Sequence, residues 1–371
     1  MVDRERIINE FIELASIDSI TKNERDMADT LKRKLGELGH ETSEDNAGEK
    51  IGGKAGNLVC NVKGTKDVPA IMLVAHVDTV EPGTGKKPVV DGEKIRSNGE
   101  TVLGADDVAG IVCILEVLRA IKENNIEHGD IQVVFTVAEE GGLLGARNLD
   151  YGKIYAKYCF VLDSEGPIGT VAVKAPSHNR ISVTVKGRAS HAGLTPEKGV
   201  NAIQIAADAI AGMKLGRIDD ETTANIGVIS GGRETNIVCD RVDIKGEARS
   251  RDNKKLESQT AHMKECFEQA AAKYGGEVDF KAELEYPSFS IDNDSDIMDI
   301  LKKAAGDVKI ELIPRATGGG SDTNIINSKG IEAVNISVGM ENVHSVEEFI
   351  VIDNLVKAAE FVLAIIRNIS Q

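Results

Sequence analysis

The sequence predicts an α/β protein with a mixed sheet, interrupted by an inserted ferredoxin-like unit of β-α-β-β-α-β order. Three observations lead there. Short apolar runs at 70–77, 131–138 and 158–162 alternate with longer stretches of helical period. Each run ends abruptly on His, Asp or Glu. Between 178 and 286 the alternation changes to strand, helix, strand, strand, helix, strand. At 371 residues the chain is too long for one ordinary core, which fits two domains: an α/β domain in two parts, 1–177 and 287–371, and the insertion at 178–286.

The elements follow in order. Residues 4–39 carry apolar positions at helical spacing, with Thr21 or Asn23 expected to cap the second helix. Strands are expected at 58–62 and 70–77, then a turn region at 81–85, then a glycine-bearing loop reaching Asp106-Asp107 before a helix at 111–121. Paired aspartates there suit helix capping and the helix dipole as well as a ligand role. Strands at 131–138 and 158–162 end in Glu139-Glu140 and Asp163. The insertion reads as strand 180–185, helix 199–213, strands 223–229 and 237–248, helix 254–274 and strand 278–285. A helix near 297–305, a strand at 308–313, a glycine loop at 317–320, a helix near 323–327, a strand at 333–338 and a closing helix at 354–366 complete the chain.

Composition limits the partners. Sixty acidic residues against forty-four basic ones give a net charge of −16, which repels nucleic acid phosphates and anionic lipid. No apolar run is long enough to span a bilayer, and the charged start, Met1-Val2-Asp3-Arg4, does not read as a secretory signal. Five scattered cysteines without a C-x-x-C pair fit reduced core positions in the cytoplasm and argue against a thiolate metal site. No G-x-S-x-G, no G-x-x-x-x-G-K and no H-E-x-x-H motif is present.

The chemistry gathers at strand ends. His76 and Asp78 are two apart, so they leave one strand on the same face, and Asp78 can orient His76 for a metal. Glu139 and Glu140 are adjacent and cannot point the same way, which suits separate roles. Sites in open α/β sheets form outside the carboxyl ends of strands, so His76, Asp78, Asp106, Glu139, Glu140, Asp163 and His344 are candidates for one cavity. Carboxylates packed so closely would repel one another unless divalent cations offset them. Two histidines with carboxylates suit zinc, with manganese or cobalt as substitutes.

In this order the motifs A-H-V-D at 75–78, G-A-D-D at 104–107, E-E-G at 139–141, L-D-S at 162–164, S-H-A-G at 190–193 and the final His344 resemble the dinuclear zinc peptidases and amidohydrolases of the aminoacylase, acetylornithine deacetylase and carboxypeptidase G group, most of all the peptidase T-like branch. The resemblance spans essentially the whole chain. It implies a zinc-peptidase catalytic domain with an inserted lid or dimerisation domain, and an aminopeptidase hydrolysing short peptides, of tripeptidase type, with a water activated by two metals. A carboxypeptidase or an N-acyl-amino-acid amidohydrolase is the alternative on the same site.

Position by position, it implies that Asp106 bridges the ions, that His76 and Asp163 complete one site, and that Glu140 and His344 complete the other. Asp78 orients His76 and Glu139 acts as general base. His191 is implied as an oxyanion donor that can act across a homodimer, and Asn236, Arg249 and Gly319 as substrate-binding residues. From the residues alone, Arg249 also suits an ion pair with Asp252 or Glu247. Cys239 departs from the family pattern, standing where many relatives carry proline.

Overall fold

The computed structural model describes residues 1–370. It comprises two compact units, one formed by residues 1–173, 290–316 and the chain from Ser321 onward, the other by residues 174–289 with 317–320. The first unit holds a mixed sheet whose strands run in the order Thr42–Glu44, Leu58–Val62, Ile131–Thr136, Ile71–His76, Tyr158–Glu165, Glu332–Glu341, Phe349–Val351, Lys94–Arg96 and Val89–Asp91. The four central strands, from Ile131–Thr136 to Glu332–Glu341, are mutually parallel, with Ile71 opposite both Ile131 and Tyr158. Parallel registry places the carboxyl ends of these strands along one edge.

Ile71–His76 and Ile131–Thr136 are buried along their whole length. This is why they read as continuous apolar runs rather than alternating ones: both faces of a parallel sheet are covered. Met72, Val74, Val134, Cys159 and Val161 pack on one face with Ile326 and Ala333. Against the sheet lies Ala105–Asn124, a helix apolar on nearly every side because the terminal helices Arg4–Ala15 and Ile352–Ile369 also pack on it.

The start of that helix is irregular. Gly104 has φ 74°, and Asp106 and Asp107 are not helical, so regular winding begins after them. Asp107 Oδ1 accepts the Gly110 N–H at 3.0 Å and so performs the capping expected of the pair. Gly110 admits no side chain, since a Cβ there would lie 2.5 Å from both Asp107 Oδ1 and the Leu162 carbonyl oxygen.

The second unit follows the order expected of it: Ser177–Lys186, Ala202–Gly212, Thr222–Gly231, Arg241–Ser250, Asn253–Tyr274 and Glu277–Tyr286. Its sheet is antiparallel, with Arg241–Ser250 and Glu277–Tyr286 flanking Ser177–Lys186, and Thr222–Gly231 outside Arg241–Ser250. The two helices pack their Ile205, Ala206, Met263 and Phe267 onto Ile181, Val183 and Ile244. This is the ferredoxin-like arrangement.

The structure corrects three local expectations. The strand expected at 308–313 is absent: the preceding helix runs to Asp307, Lys309 takes φ 56° in the turn that ends it, and extended pairing begins only at Ile313–Ala316. The glycine loop 317–320 belongs with the second unit, tied by the Thr317 N–H to the Lys174 carbonyl at 2.8 Å. Neither Thr21 nor Asn23 caps the helix Arg25–Glu37; its N-cap is Glu24, without a side-chain cap bond, because the Thr21 hydroxyl donates to Asp78 Oδ2 at 2.8 Å.

Replacing Gly110 with Ala should lower stability by about 1–3 kcal/mol, the usual range for overpacking. Chemical denaturation would read this as a reduced midpoint with an unchanged slope; a midpoint equal to that of the unaltered protein would show that the helix start can yield.

Candidate metal centre

Three neighbouring parallel strands deliver His76, the Glu139-Glu140 pair and Asp163 to the same edge, and the loop before Ala105–Asn124 adds Asp106. His344, with φ 62°, comes from the turn after Glu332–Glu341. Asp106 is the centre of the group. Its Oδ1 lies 2.8 Å from His76 Nε2 and its Oδ2 3.2 Å from His344 Nε2. Asp163 Oδ1 stands 3.7 Å from His76 Nε2, and Glu140 Oε1 2.7 Å from His344 Nε2.

Donor atoms of His76, Asp106 and Glu140 fall within 4.8 Å of one another, as do those of His76, Asp107 and Asp163. Asp107 nevertheless differs from Asp106 in what its oxygens already do. Oδ2 accepts the His76 backbone N–H at 3.2 Å and Oδ1 accepts that of Gly110. Asp107 thus holds the strand end and the helix start together, while Asp106 turns both oxygens to imidazoles.

The electrostatics follow from burial. Burial alone would raise the Asp106 carboxyl, but the hydrogen bonds from His344 and His76 hold it well below the usual carboxylate range. Burial opposes protonation of His76, yet its contacts with Asp106, Asp163 and Asp78 carry it well above an ordinary imidazole. His344 is pushed up to about 10 by Asp106 and Glu140. Burial, then repulsion by Asp106, pushes Asp163 up to about 7. Glu139 is raised well above an ordinary glutamate, first by burial and also by Asp163, Asp322 and Glu140. Such a cluster demands compensating positive charge, and two imidazole nitrogens converging with carboxylate oxygens form a donor set that fits divalent cations.

The contact that orients His76 differs from the one expected. His76 Nδ1 lies 2.9 Å from the backbone carbonyl of Asp78 and 3.5 Å from its Oδ1. A carbonyl only accepts, so Nδ1 carries a proton there, and Nε2 is the ring nitrogen turned to Asp106. The Asp78 carboxylate has stronger partners in the N–H groups of Glu139 (2.8 Å) and Glu140 (3.2 Å). Its place is therefore to hold the turn bearing those two glutamates.

Several groups that fix the cluster were not found from the sequence. Glu348 is buried and accepts the N–H groups of Leu103 (2.7 Å), Gly104 (2.8 Å) and Asp106 (3.0 Å), anchoring the loop that carries the central aspartate. Asn335 accepts the Asp163 N–H at 3.0 Å and donates to its carbonyl at 3.0 Å. Their partners in these loops are main-chain groups, which no sequence pattern marks, and Asn335 also donates to the Ser321 hydroxyl at 3.2 Å.

The second unit carries the expected substrate residues. His191 and Asn236 lie on adjoining segments: His191 forms an antiparallel bridge with Ile237, and the Ala192 N–H donates to the Asn236 carbonyl at 2.9 Å. His191 Nδ1 accepts the Gly193 N–H at 3.1 Å, which leaves the proton of a neutral ring on Nε2. Arg249 is engaged bidentately with Glu247, at 3.0 and 3.1 Å, and its Nη1 donates to the Tyr286 hydroxyl at 3.3 Å. Of the two ion-pair partners expected, Asp252 is occupied instead in capping the next helix through the N–H groups of Lys254 and Lys255. Tyr286 lies so close to Gly320 that a Cβ there would be 2.3 Å from its ring. Gly319 is exposed, its N–H on the Thr317 hydroxyl at 3.1 Å.

A model of the family described as Peptidase family M20/M25/M40 matches residues 72–368. The chain belongs to that family. The protein YqjE of Bacillus subtilis is 46% identical over 368 residues, covering 99% of both chains. The crystal structure of aminopeptidase PepT from Bacillus cereus superposes with a TM-score of 0.92 at 46% identity over 100% of both chains. A tripeptidase from Staphylococcus aureus gives 0.96 at 42% identity, over 100% of this chain and 99% of the other.

The raised His344 allows a test of the cluster as a cation site. A group whose folded pKa lies above its ordinary value stabilises fully below that value and ceases to do so as pH climbs through the folded one. For His344 the interval runs from 6.5 to about 10. Chelator-treated protein should therefore show a Tm that declines from pH 6.5 to 9. A saturating divalent cation should cancel or reverse the decline, because it binds neutral imidazoles; a decline unaffected by cation would count against the site.

Proposed function

We propose that this M20/M25/M40 chain is an aminopeptidase that hydrolyses short peptides, tripeptides foremost, using two divalent cations, with zinc favoured by the donor set. One observation carries the reading: Asp106 turns one carboxylate oxygen to each of two histidines, the placement a bridging ligand requires. His76 and Asp163 would hold one cation, Glu140 and His344 the other. Cations bound there would lower the pKa of an attacking water and polarise the scissile carbonyl. The names of the Bacillus cereus and Staphylococcus aureus neighbours support the peptide specificity.

Glu139 is the proposed general base. It is buried, its backbone is fixed by Asp78, and burial raises its proton affinity toward the working pH, the condition under which a carboxylate both takes and returns a proton. It would accept the proton of the attacking water and pass it to the departing amine nitrogen. His191, with its proton on Nε2, is suited to donate to the oxyanion that develops on the carbonyl oxygen.

A homodimer through the second unit belongs to the same proposal. Its outer strand Thr222–Gly231 pairs on its far side only at Thr223 and Ala224, and beyond that point Val228 and Ile229 are 51% and 54% exposed. An open edge carrying apolar side chains is suited to pairing with a second copy. No helix among the described residues is long and apolar enough to cross a membrane, and the five cysteines are free, which supports a cytoplasmic location.

Substituting Glu139 by Gln should reduce kcat by about 10²–10⁴-fold with metal content retained. On a panel of free tripeptides, N-blocked tripeptides and acyl-amino acids, turnover should be confined to substrates with a free amino terminus. Cleavage of blocked substrates alone would instead assign a carboxypeptidase or an amidohydrolase.

A further inference from the structure

We propose that Glu24 is a positioning residue for the turn that carries Glu139 and Glu140. The inference rests on the reading of Glu139 as general base. After Ile131–Thr136 the chain turns through Ala138, which has φ 50°, a left-handed conformation that a residue with a side chain adopts only when its surroundings impose it. What imposes it is visible in the next groups along the chain. Three consecutive N–H groups each donate to a buried carboxylate: Ala138 to Glu24 Oε1 at 3.1 Å, Glu139 to Asp78 Oδ1 at 2.8 Å and Glu140 to Asp78 Oδ2 at 3.2 Å. Successive N–H groups around a left-handed residue form a concave anion-binding nest, and here the anion is supplied by the protein itself.

Glu24 is placed where an ordinary N-cap would be, yet it makes no cap bond to its own helix. Its Oε1 accepts instead from the Lys22 N–H at 2.7 Å and from Ala138, 114 residues away. The segment preceding it is stitched to the other strand end. The Thr79 N–H donates to the Ser19 carbonyl at 2.9 Å, the Thr21 N–H to the Thr79 carbonyl at 3.3 Å, and the Thr21 hydroxyl to Asp78. Residues 19–24 therefore join the strand end bearing His76 to the turn bearing Glu139, and Glu24 is the last bond in that chain. Placing Glu24 near Asp78 carries a cost: burial, then Asp78, push Glu24 up to about 7. A carboxylate kept fully buried beside another, with no cap to make, is explained by the Ala138 bond.

The geometry matters because Glu139 and Glu140 leave the same turn for different tasks. Without the Glu24 acceptor the Ala138 N–H is left buried and unpaired, and the turn relaxes from its left-handed conformation. A base displaced by about 1 Å can lose about 10²-fold in rate. Asp78 still holds the N–H groups of both glutamates, so the cation sites and the binding of substrate should be retained, and what is lost is the setting of the turn at Ala138, next to Glu139.

The test compares Glu24→Gln, Glu24→Ala and Glu24→Asp with Glu139→Gln, each assayed for kcat and KM on a free tripeptide and for zinc content on the same preparation. Gln retains an oxygen acceptor at the same reach, so kcat should stay within a few-fold of the unaltered enzyme. Ala removes the acceptor and Asp falls a methylene short; kcat should drop about 10–100-fold in both, with KM and zinc content nearly unchanged. If Glu24→Ala cannot be folded, the contrast between Gln and Asp decides. Full kcat in the Ala or Asp variant, or a Gln variant as impaired as they are, would overturn the assignment. An active Glu139→Gln would overturn the general-base reading instead, and the two failures are separately visible.

Discussion

The Asp106 carboxylate, with one oxygen against each of two imidazoles, is the contact on which the arrangement of the catalytic unit depends. An ionised carboxylate amid Asp163, Glu139 and Glu140 is tolerable only beside positive charge and with its backbone held in place. The holding is done by carboxylates whose oxygens are spent on backbone N–H groups. Glu348 accepts three N–H groups of the Asp106 loop, Asp107 ties the His76 strand to the helix start, and Asp78 secures the Glu139 turn. An acidic chain has here used part of its charge to bind its own backbone.

The fold makes this possible through strand direction. Four parallel strands in register carry their carboxyl ends to one edge, so side chains from His76 to Asp163, distant in sequence, need only short loops to converge. Parallel pairing also requires both faces of the sheet to be buried, which supplies the low-dielectric surroundings responsible for the raised Glu139 and Asp163. Sheet architecture and site chemistry are in this sense one constraint.

Much of this was legible in the residues. The run from Ile71 to His76 announced a buried strand by continuous apolarity, and its abrupt ending in His76 and Asp78 announced chemistry at the tip. The β-α-β-β-α-β insertion was readable from the change of period. The adjacent Asp106 and Asp107 were harder, since capping and ligation call for the same residue type, and only the φ/ψ break after Gly104 divides the two tasks. Glu24 and Glu348 carried no signal at all, because their partners are N–H groups that every residue but proline possesses. The strand expected at 308–313 failed for a similar reason: the N–H groups of Val308, Lys309 and Ile310 bond back to the carbonyls of Ala304, Gly306 and Ala305 and close the preceding helix, and local composition does not record that.

The proposed chemistry depends on Asp106 as a bridge between two cations. Anomalous diffraction at the zinc edge, from crystals equilibrated with zinc, tests it directly. It should show two peaks flanking the Asp106 carboxylate, one beside His76 and Asp163 and the other beside His344 and Glu140. A single peak, or peaks not shared by Asp106, would contradict it.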